Sequence, residues 1–190
     1  MFLFAMFPES GAVKWAFFGP LAGALVRPLG GWLSDRLGGA KVTFWNFSVM
    51  VAAAAGVLMY LPSQSGASGV GWFFAAFILL FVTTGIGNGS VFRLVPTVFM
   101  MLHQRGAEGK DRAARDEAIS KGEIEASVAL GFTAAIAALG LFFIPSMVAI
   151  SIDALGTPKI AVGVFVVFYL NCMFITWWWY RREGAEVWCD

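Results

Sequence analysis

Charge is scarce in this 190-residue chain, where 13% of the residues are Asp, Glu, Lys or Arg. A soluble domain carries about a quarter. The apolar share is 59% and the mean hydropathy is +0.76. So few charges could not clothe a globule of this size, which excludes an ordinary soluble domain. Histidine is nearly missing as well. His103 stands alone, with no second imidazole and no nucleophile near it, so a membrane enzyme would have no catalytic constellation to rest on. Two cysteines, Cys172 and Cys189, lack metal-ligand spacing and suggest neither a disulfide framework nor a zinc site. No metal and no cofactor are expected. A net charge of +1 provides no field for nucleic acid, and 19 Phe with 8 Trp exclude disorder. What remains is an all-α, polytopic membrane bundle.

Five long apolar runs cover residues 14–33, 43–61, 70–101, 126–150 and 160–180. Each approaches the roughly 20 residues needed to cross a hydrocarbon core about 30 Å thick. Residues 1–8 are too short for that and carry no basic leader, so they read as the tail of a sixth helix rather than a signal peptide. The linkers 34–42, 102–125 and the tail hold nine of the basic residues: Arg36, Lys41, Arg105, Lys110, Arg112, Arg115, Lys121, Arg181 and Arg182. The opposite side has Lys14 and Lys159. That asymmetry places the basic side and the C-terminus in the cytoplasm. Trp177, Trp178, Trp179 and Tyr180 read as an interfacial aromatic belt. The linker 102–125 reads as a solvated amphipathic helix on the cytoplasmic face, with His103 as a surface residue.

Two cations remain, Arg27 and Arg93, both inside apolar runs. A central arginine costs about 2.5–3.5 kcal/mol on insertion scales, so it tends to face a polar cavity. From a rise of about 1.5 Å per residue, Arg27 lies roughly 5 Å and Arg93 roughly 10 Å to the cytoplasmic side of the span midpoints. All twelve acids fall in linkers, in the tail or at span edges. Neither arginine is therefore expected to find a carboxylate in this chain, and each calls for an anionic ligand or another polypeptide.

Glycine surrounds both arginines. In FGPLAGALVRPLGG (18–31), Gly19, Gly23, Arg27 and Gly31 recur every fourth residue on one helix face, which invites close helix approach. Pro28 removes one rung of the ladder beside Arg27. In TGIGNGSVF (84–92) and Arg93, a sector of about 140° gathers Gly85, Asn88, Gly89, Phe92 and Arg93. A planar anion could stack on that ring and accept from that guanidinium. Packing is the competing reading for the glycines. Along 126–145, Gly131 with Ala135 and Ala134 with Ala138 are close-packing signals, so this helix is expected to be gripped by neighbours.

Gly31, Asp35, Arg36 and Gly38 resemble the G-x-x-x-D-R-x-G motif of the major facilitator superfamily, which lies between the second and third helices of each six-helix half. Stretches 18–27, 84–92 and 129–145 resemble the nitrate/nitrite porter family, in the right order. The resemblance implies the C-terminal six-helix half over residues 1–190, from the end of helix 7 to helix 12. It implies transport of nitrate or nitrite, by antiport or proton-coupled uptake, across the inner (plasma) membrane. Arg27 then matches the substrate arginine, Phe92 the stacking aromatic, and Gly131 the helix 11 signature. Asn88 and Arg93 join them as candidate substrate contacts, with Gly31, Asp35, Arg36 and Gly38 as the gating motif. The N-terminal half would be the partner, with the lipid bilayer around both. A half for another small anion and a non-transporting assembly subunit are the alternatives. A sugar or drug facilitator would need intramembrane carboxylates, which this half lacks.

The charge asymmetry fixes a topology that can be tested. Cys189 in intact cells is expected to resist a membrane-impermeant thiol reagent and to react once the membrane is opened. Ready labelling of sealed cells would reverse the orientation.

Overall fold

The computed structural model describes residues 17–61, 70–109 and 111–181. The expected helix tail at 1–8, Lys14, Lys110, Arg182 and Cys189 lie outside them. Five helices follow one another: α1 (Phe18–Leu37), α2 (Gly39–Met59), α3 (Val70–Gly106), α4 (Arg112–Leu155) and α5 (Lys159–Thr176), the last running into a π-helical turn at Trp177–Arg181. The described residues contain no strand, and the chain is an all-α bundle. Four helices, α2 to α5, are long and apolar enough to cross a membrane. The first expected run is a helix but falls short in hydropathy. Its four glycines, two prolines and three charged residues dilute the apolar side chains.

The helices alternate in direction, and two clusters mark the two ends. At one end Ala40 and Leu94 are buried against Val98, Met101 and Tyr180. At the other, Val57, Leu61, Phe73 and Val162 pack together. Arg36, Lys41, Arg105, Arg112, Arg115 and Lys121 belong to helix segments at the first end, so the basic residues converge there as the linker count implied. Trp177, Trp178 and Trp179 are exposed on the same end of α5.

Helix α3 is the hub, packing on α1, α2 and α4. Its contact with α1 is the tightest in the fold. The two run parallel with a constant offset. A Cβ added at Gly23 would come 2.9 Å from the Phe81 carbonyl oxygen, and one at Gly85 would strike the Gly23 carbonyl. One at Gly89 would strike the Arg27 carbonyl, and one at Gly30 the Ile86 carbonyl. Backbone therefore meets backbone, as small residues allow where lipid supplies no hydrophobic drive. The glycines of 18–31 and 84–92 are packing residues. Pro28 and Pro96 sit inside continuous helices.

Polar side chains fasten α2 to α3. Ser90 Oγ donates to the Gly39 carbonyl at 3.3 Å, and lies 3.0 Å from Thr43 Oγ1, which donates to it in turn. Deeper along the interface, a Cβ on Gly87 would come 2.5 Å from Asn46 Nδ2, so Gly87 leaves room for the buried amide. Each such bond contributes about 0.6–2 kcal/mol inside a membrane.

Three expectations need correction. The linker 102–125 is not a separate amphipathic helix. Helix α3 continues to Gly106, and α4 starts at Arg112, where Asp111 Oδ1 accepts from the Ala114 N–H at 3.1 Å. Gly122 lets α4 close on Phe99 and Met100, and His103 Nε2 lies 2.9 Å from Glu125 Oε2. His103 is thereby half-buried in a helical hairpin. Outside the membrane run, Lys121 at 2.7 Å holds the Glu117 carboxyl below its ordinary range. Second, the loop 34–42 shrinks to Gly38, whose φ of 90° suits glycine. Third, the middle of α4, residues 131–139, is exposed throughout. Val128, Phe132, Ile136, Leu139 and Phe142 are exposed, and a Cβ at Gly131 would touch nothing within 4 Å.

These contacts separate two kinds of glycine. Gly89→Val is expected to lower stability by at least about 1–3 kcal/mol, the usual cost of overpacking. Gly131→Val, judged by the contacts present, is expected to cost less than about 0.5 kcal/mol, as a surface change does. Unfolding of the two variants in detergent, followed by helicity, measures the difference.

Candidate functional site

The parallel register of α1 and α3 carries the candidate residues with it. An open groove of about 520 Å³ runs between the two helices, lined by Pro28, Gly31, Trp32, Asp35, Gly89, Phe92 and Arg93. Gly31 and Gly89 have no side chains to fill it. Phe92, 52% exposed, and Trp32, 50% exposed, present aromatic surface there. Phe92 and Arg93 line the same groove. Asp35 joins them because the offset of the two helices sets the end of α1 beside this turn of α3.

That juxtaposition overturns one expectation. Arg93 is paired within the chain: its Nη2 lies 3.3 Å from Asp35 Oδ2. Counting acids along single spans placed Asp35 at an edge and Arg93 inside. The staggered packing of α1 against α3 brings them level. The side chains are 63% and 51% exposed, so the pair is weak by the standard of surface ion pairs.

Arg27 is placed differently. Its carbonyl faces Gly89 across the contact, yet its side chain is exposed and does not line the groove. The expectation of a buried guanidinium thus fails within this bundle. The groove opens one turn further on, at Gly31 and Arg93, and leaves the exposed Arg27 side chain outside it. Among the described residues no carboxylate pairs with Arg27. Asn88 is half-buried and lines neither cavity, and Gly131 lies on the bare flank of α4.

A second recess of about 530 Å³ lies around the α1–α2 turn. Asp35, Arg36 and Gly38 line it together with Lys41, Arg93 and Ser34. The Arg36 guanidinium carbon stands 4.3 Å from the centre of the Trp32 ring, a cation–π distance. Trp32 and Ser34 escaped the sequence reading, and Lys41 entered it only as a linker charge. The signal available for Trp32 was its place four residues before Arg36 on the same helix face. Among the described residues no three His, Cys, Asp or Glu side chains converge as metal ligands.

Known proteins resemble this chain in sequence. The nitrate/nitrite transporter NarU of Escherichia coli strain K12 is 37% identical over 180 residues, which span 93% of this chain and 38% of NarU. The probable nitrate/nitrite antiporter NarK2 of Thermus thermophilus is 32% identical over 177 residues, 93% of this chain and 35% of the relative. Over nearly its whole length the chain is homologous to these nitrate/nitrite transporters. A more distant relative, the nitrite extrusion protein of Bacillus subtilis strain 168, is 26% identical over 183 residues, 96% of this chain and 38% of the relative. No family model matches the chain. The chain spans little more than a third of the length of these transporters.

The exposure of the Arg93–Asp35 pair sets the size of its contribution. Asp35→Asn is expected to change unfolding stability by no more than about 1 kcal/mol, the upper end for exposed ion pairs. A loss of several kcal/mol in detergent unfolding would mean that the pair is desolvated.

Proposed function

We propose that this chain is the C-terminal six-helix half of an inner-membrane transporter for nitrate, nitrite or both, working by antiport or proton-coupled uptake. Residues 1–190 would run from the end of helix 7 to helix 12, with the basic end and the C-terminus in the cytoplasm. The observation that carries this reading is Arg27: a fixed cation in the middle of α1, exposed from this bundle and paired with no carboxylate among the described residues. The names of the relatives supply the anion.

A guanidinium stays charged and presents a planar fork that suits a small trigonal oxyanion. Exposed on α1, it would face a cavity completed by an N-terminal half. Transporters of this kind bind at the interface of their repeats, so one half alone would hold an open site. The bare flank of α4 fits the same picture, with lipid or the other half against it. Phe92 would offer the anion a ring, and the Asp35–Arg93 pair with Arg36 would close the cytoplasmic mouth. Transport then alternates access by rocking one half against the other. Catalysis of a chemical step is no part of this reading.

Anion counterflow in proteoliposomes bearing the complete transporter tests it, with binding measured separately in detergent. Arg27→Lys is expected to preserve folding and lose most nitrate or nitrite binding, about tenfold or more, because charge survives and bidentate geometry does not. Arg27→Ala is expected to abolish transport. Wild-type affinity in a folded Arg27→Lys protein would remove Arg27 from the site. Phe92→Ala is expected to weaken affinity more than Phe92→Tyr, by a factor of several for a lost stacking contact of about 1 kcal/mol. Equal affinities would remove the stacking role.

A further inference from the structure

Helix α5 turns one side to α2 and leaves the other open. Ala161, Val162 and Thr176 are buried, and Met173 Sδ accepts from Ser48 Oγ of α2 at 3.3 Å. On the opposite side Ile160, Val164, Val167, Asn171 and Phe174 are exposed. At 100° per residue these five fall within a sector of about 80°. Their spacing of four, three, four and three residues is that of a coiled-coil seam. An apolar stripe of this kind is by itself only a surface for lipid. The amide in it is not.

Asn171 lies about 18 Å from Lys159 and about 14 Å from Tyr180 along the helix, at a rise of about 1.5 Å per residue. It therefore sits in the middle of the span Lys159–Tyr180. Its Nδ2 donates to the Val167 carbonyl at 2.8 Å. The hydroxyls of Thr133 and Ser146 on α4 bond back in the same way, and each spends its single proton doing so. An amide keeps a second N–H and a carbonyl oxygen. Among the described residues nothing engages either of these on Asn171. Hydrocarbon offers neither donor nor acceptor, so an amide left against lipid is unfavourable. No other amide occurs along α5.

We propose that a second copy of this chain docks on the α5 stripe about a two-fold axis along the membrane normal, with the two Asn171 amides bonded to each other. Any other partner would need a polar group of its own at this depth. A copy inserted in the same orientation brings one at the identical depth. An amide is also its own complement, since each N–H can donate to the other's carbonyl across the axis. A lone Asn in such a seam fixes both the register and the number of helices. Gly163, one turn before Val167, has nothing within 4 Å of an added Cβ, which leaves room for close approach at that level. The stripe shares no residue with the groove between α1 and α3, and the dimer does not rest on the transport reading.

The test uses the full chain in a background with Cys172→Ser and Cys189→Ser, oxidised in the membranes of the expressing cells. Val167→Cys is expected to give a disulfide-linked dimer. Ile136→Cys, on the exposed middle of α4, is expected to stay monomeric. Energy transfer between two labelled populations, diluted with lipid, measures affinity. Asn171→Leu is expected to weaken association about three- to thirtyfold, the range for hydrogen bonds between membrane helices. Asn171→Gln keeps the amide and is expected to retain most of the affinity. Helicity confirms that each variant is folded. A chain that is monomeric at every lipid dilution would assign the stripe to lipid alone and overturn the proposal. A dimer linked through Ile136→Cys and not through Val167→Cys, or undiminished association in Asn171→Leu, would overturn it as well.

Discussion

Two helices that touch backbone to backbone bring Asp35, Arg93 and the groove beside them together in this bundle. Gly23, Gly30, Gly85 and Gly89 each stand where a Cβ would press on a carbonyl of the opposite helix. Dispersion between closely fitted main chains then does what hydrophobic burial does in water. The contact also fixes rotation. With the Arg27 carbonyl against Gly89, one turn before the groove at Gly31 and Arg93, its side chain stays outside that groove. Once Gly31 lies beside Arg93, Asp35 must lie near the guanidinium. Binding geometry is in this sense a by-product of packing.

The α2–α3 seam adds specificity of another kind. Thr43, Ser90 and the Gly39 carbonyl form a short chain of hydrogen bonds, and Gly87 makes space for Asn46. Polar groups buried in a membrane tolerate few alternative registers, because a slip would leave donors unsatisfied. Between them, the glycine contact and the polar seam hold α1, α2 and α3 as one unit around the groove and the recess. Helix α4 joins that unit near Gly122 and is otherwise bare through its apolar run. A firm core with an unsupported helix is what half of a larger transporter would be.

The sequence was informative where the signal is periodic and local. Apolar runs located the helices, basic residues located one end, and the glycine spacing marked where helices approach. The family resemblance, carried by ordered motifs rather than by composition, agrees with the relatives that span 93% of the chain. The motif stretches were less legible where meaning depends on which helix meets which. Asp35 and Arg93 are 58 residues apart and pair only through the stagger of α1 against α3. The exposure of Arg27 depends on what the neighbouring helices cover, which no one-helix projection contains. Arg105, Arg112 and their acidic neighbours looked like a separate helix, because a charge-rich segment resembles a linker even when two membrane helices extend through it.

The register of α1 on α3 is the claim from which the rest follows, and a disulfide scan measures it most directly. An ideal Cβ at Gly31 stands 3.6 Å from Arg93 Cγ, the place a cysteine sulfur at position 93 would take. A bridge requires Cβ atoms about 3.8 Å apart. In a background with Cys172→Ser and Cys189→Ser, the pair Gly31→Cys with Arg93→Cys is expected to oxidise readily in membranes, joining the two helices in one peptide adduct by mass spectrometry. The pair Gly31→Cys with Thr97→Cys, one turn further along α3, is expected to stay reduced. Cross-linking at Thr97 in preference to Arg93 would shift the register by a turn, separate Asp35 from Arg93, and contradict the account.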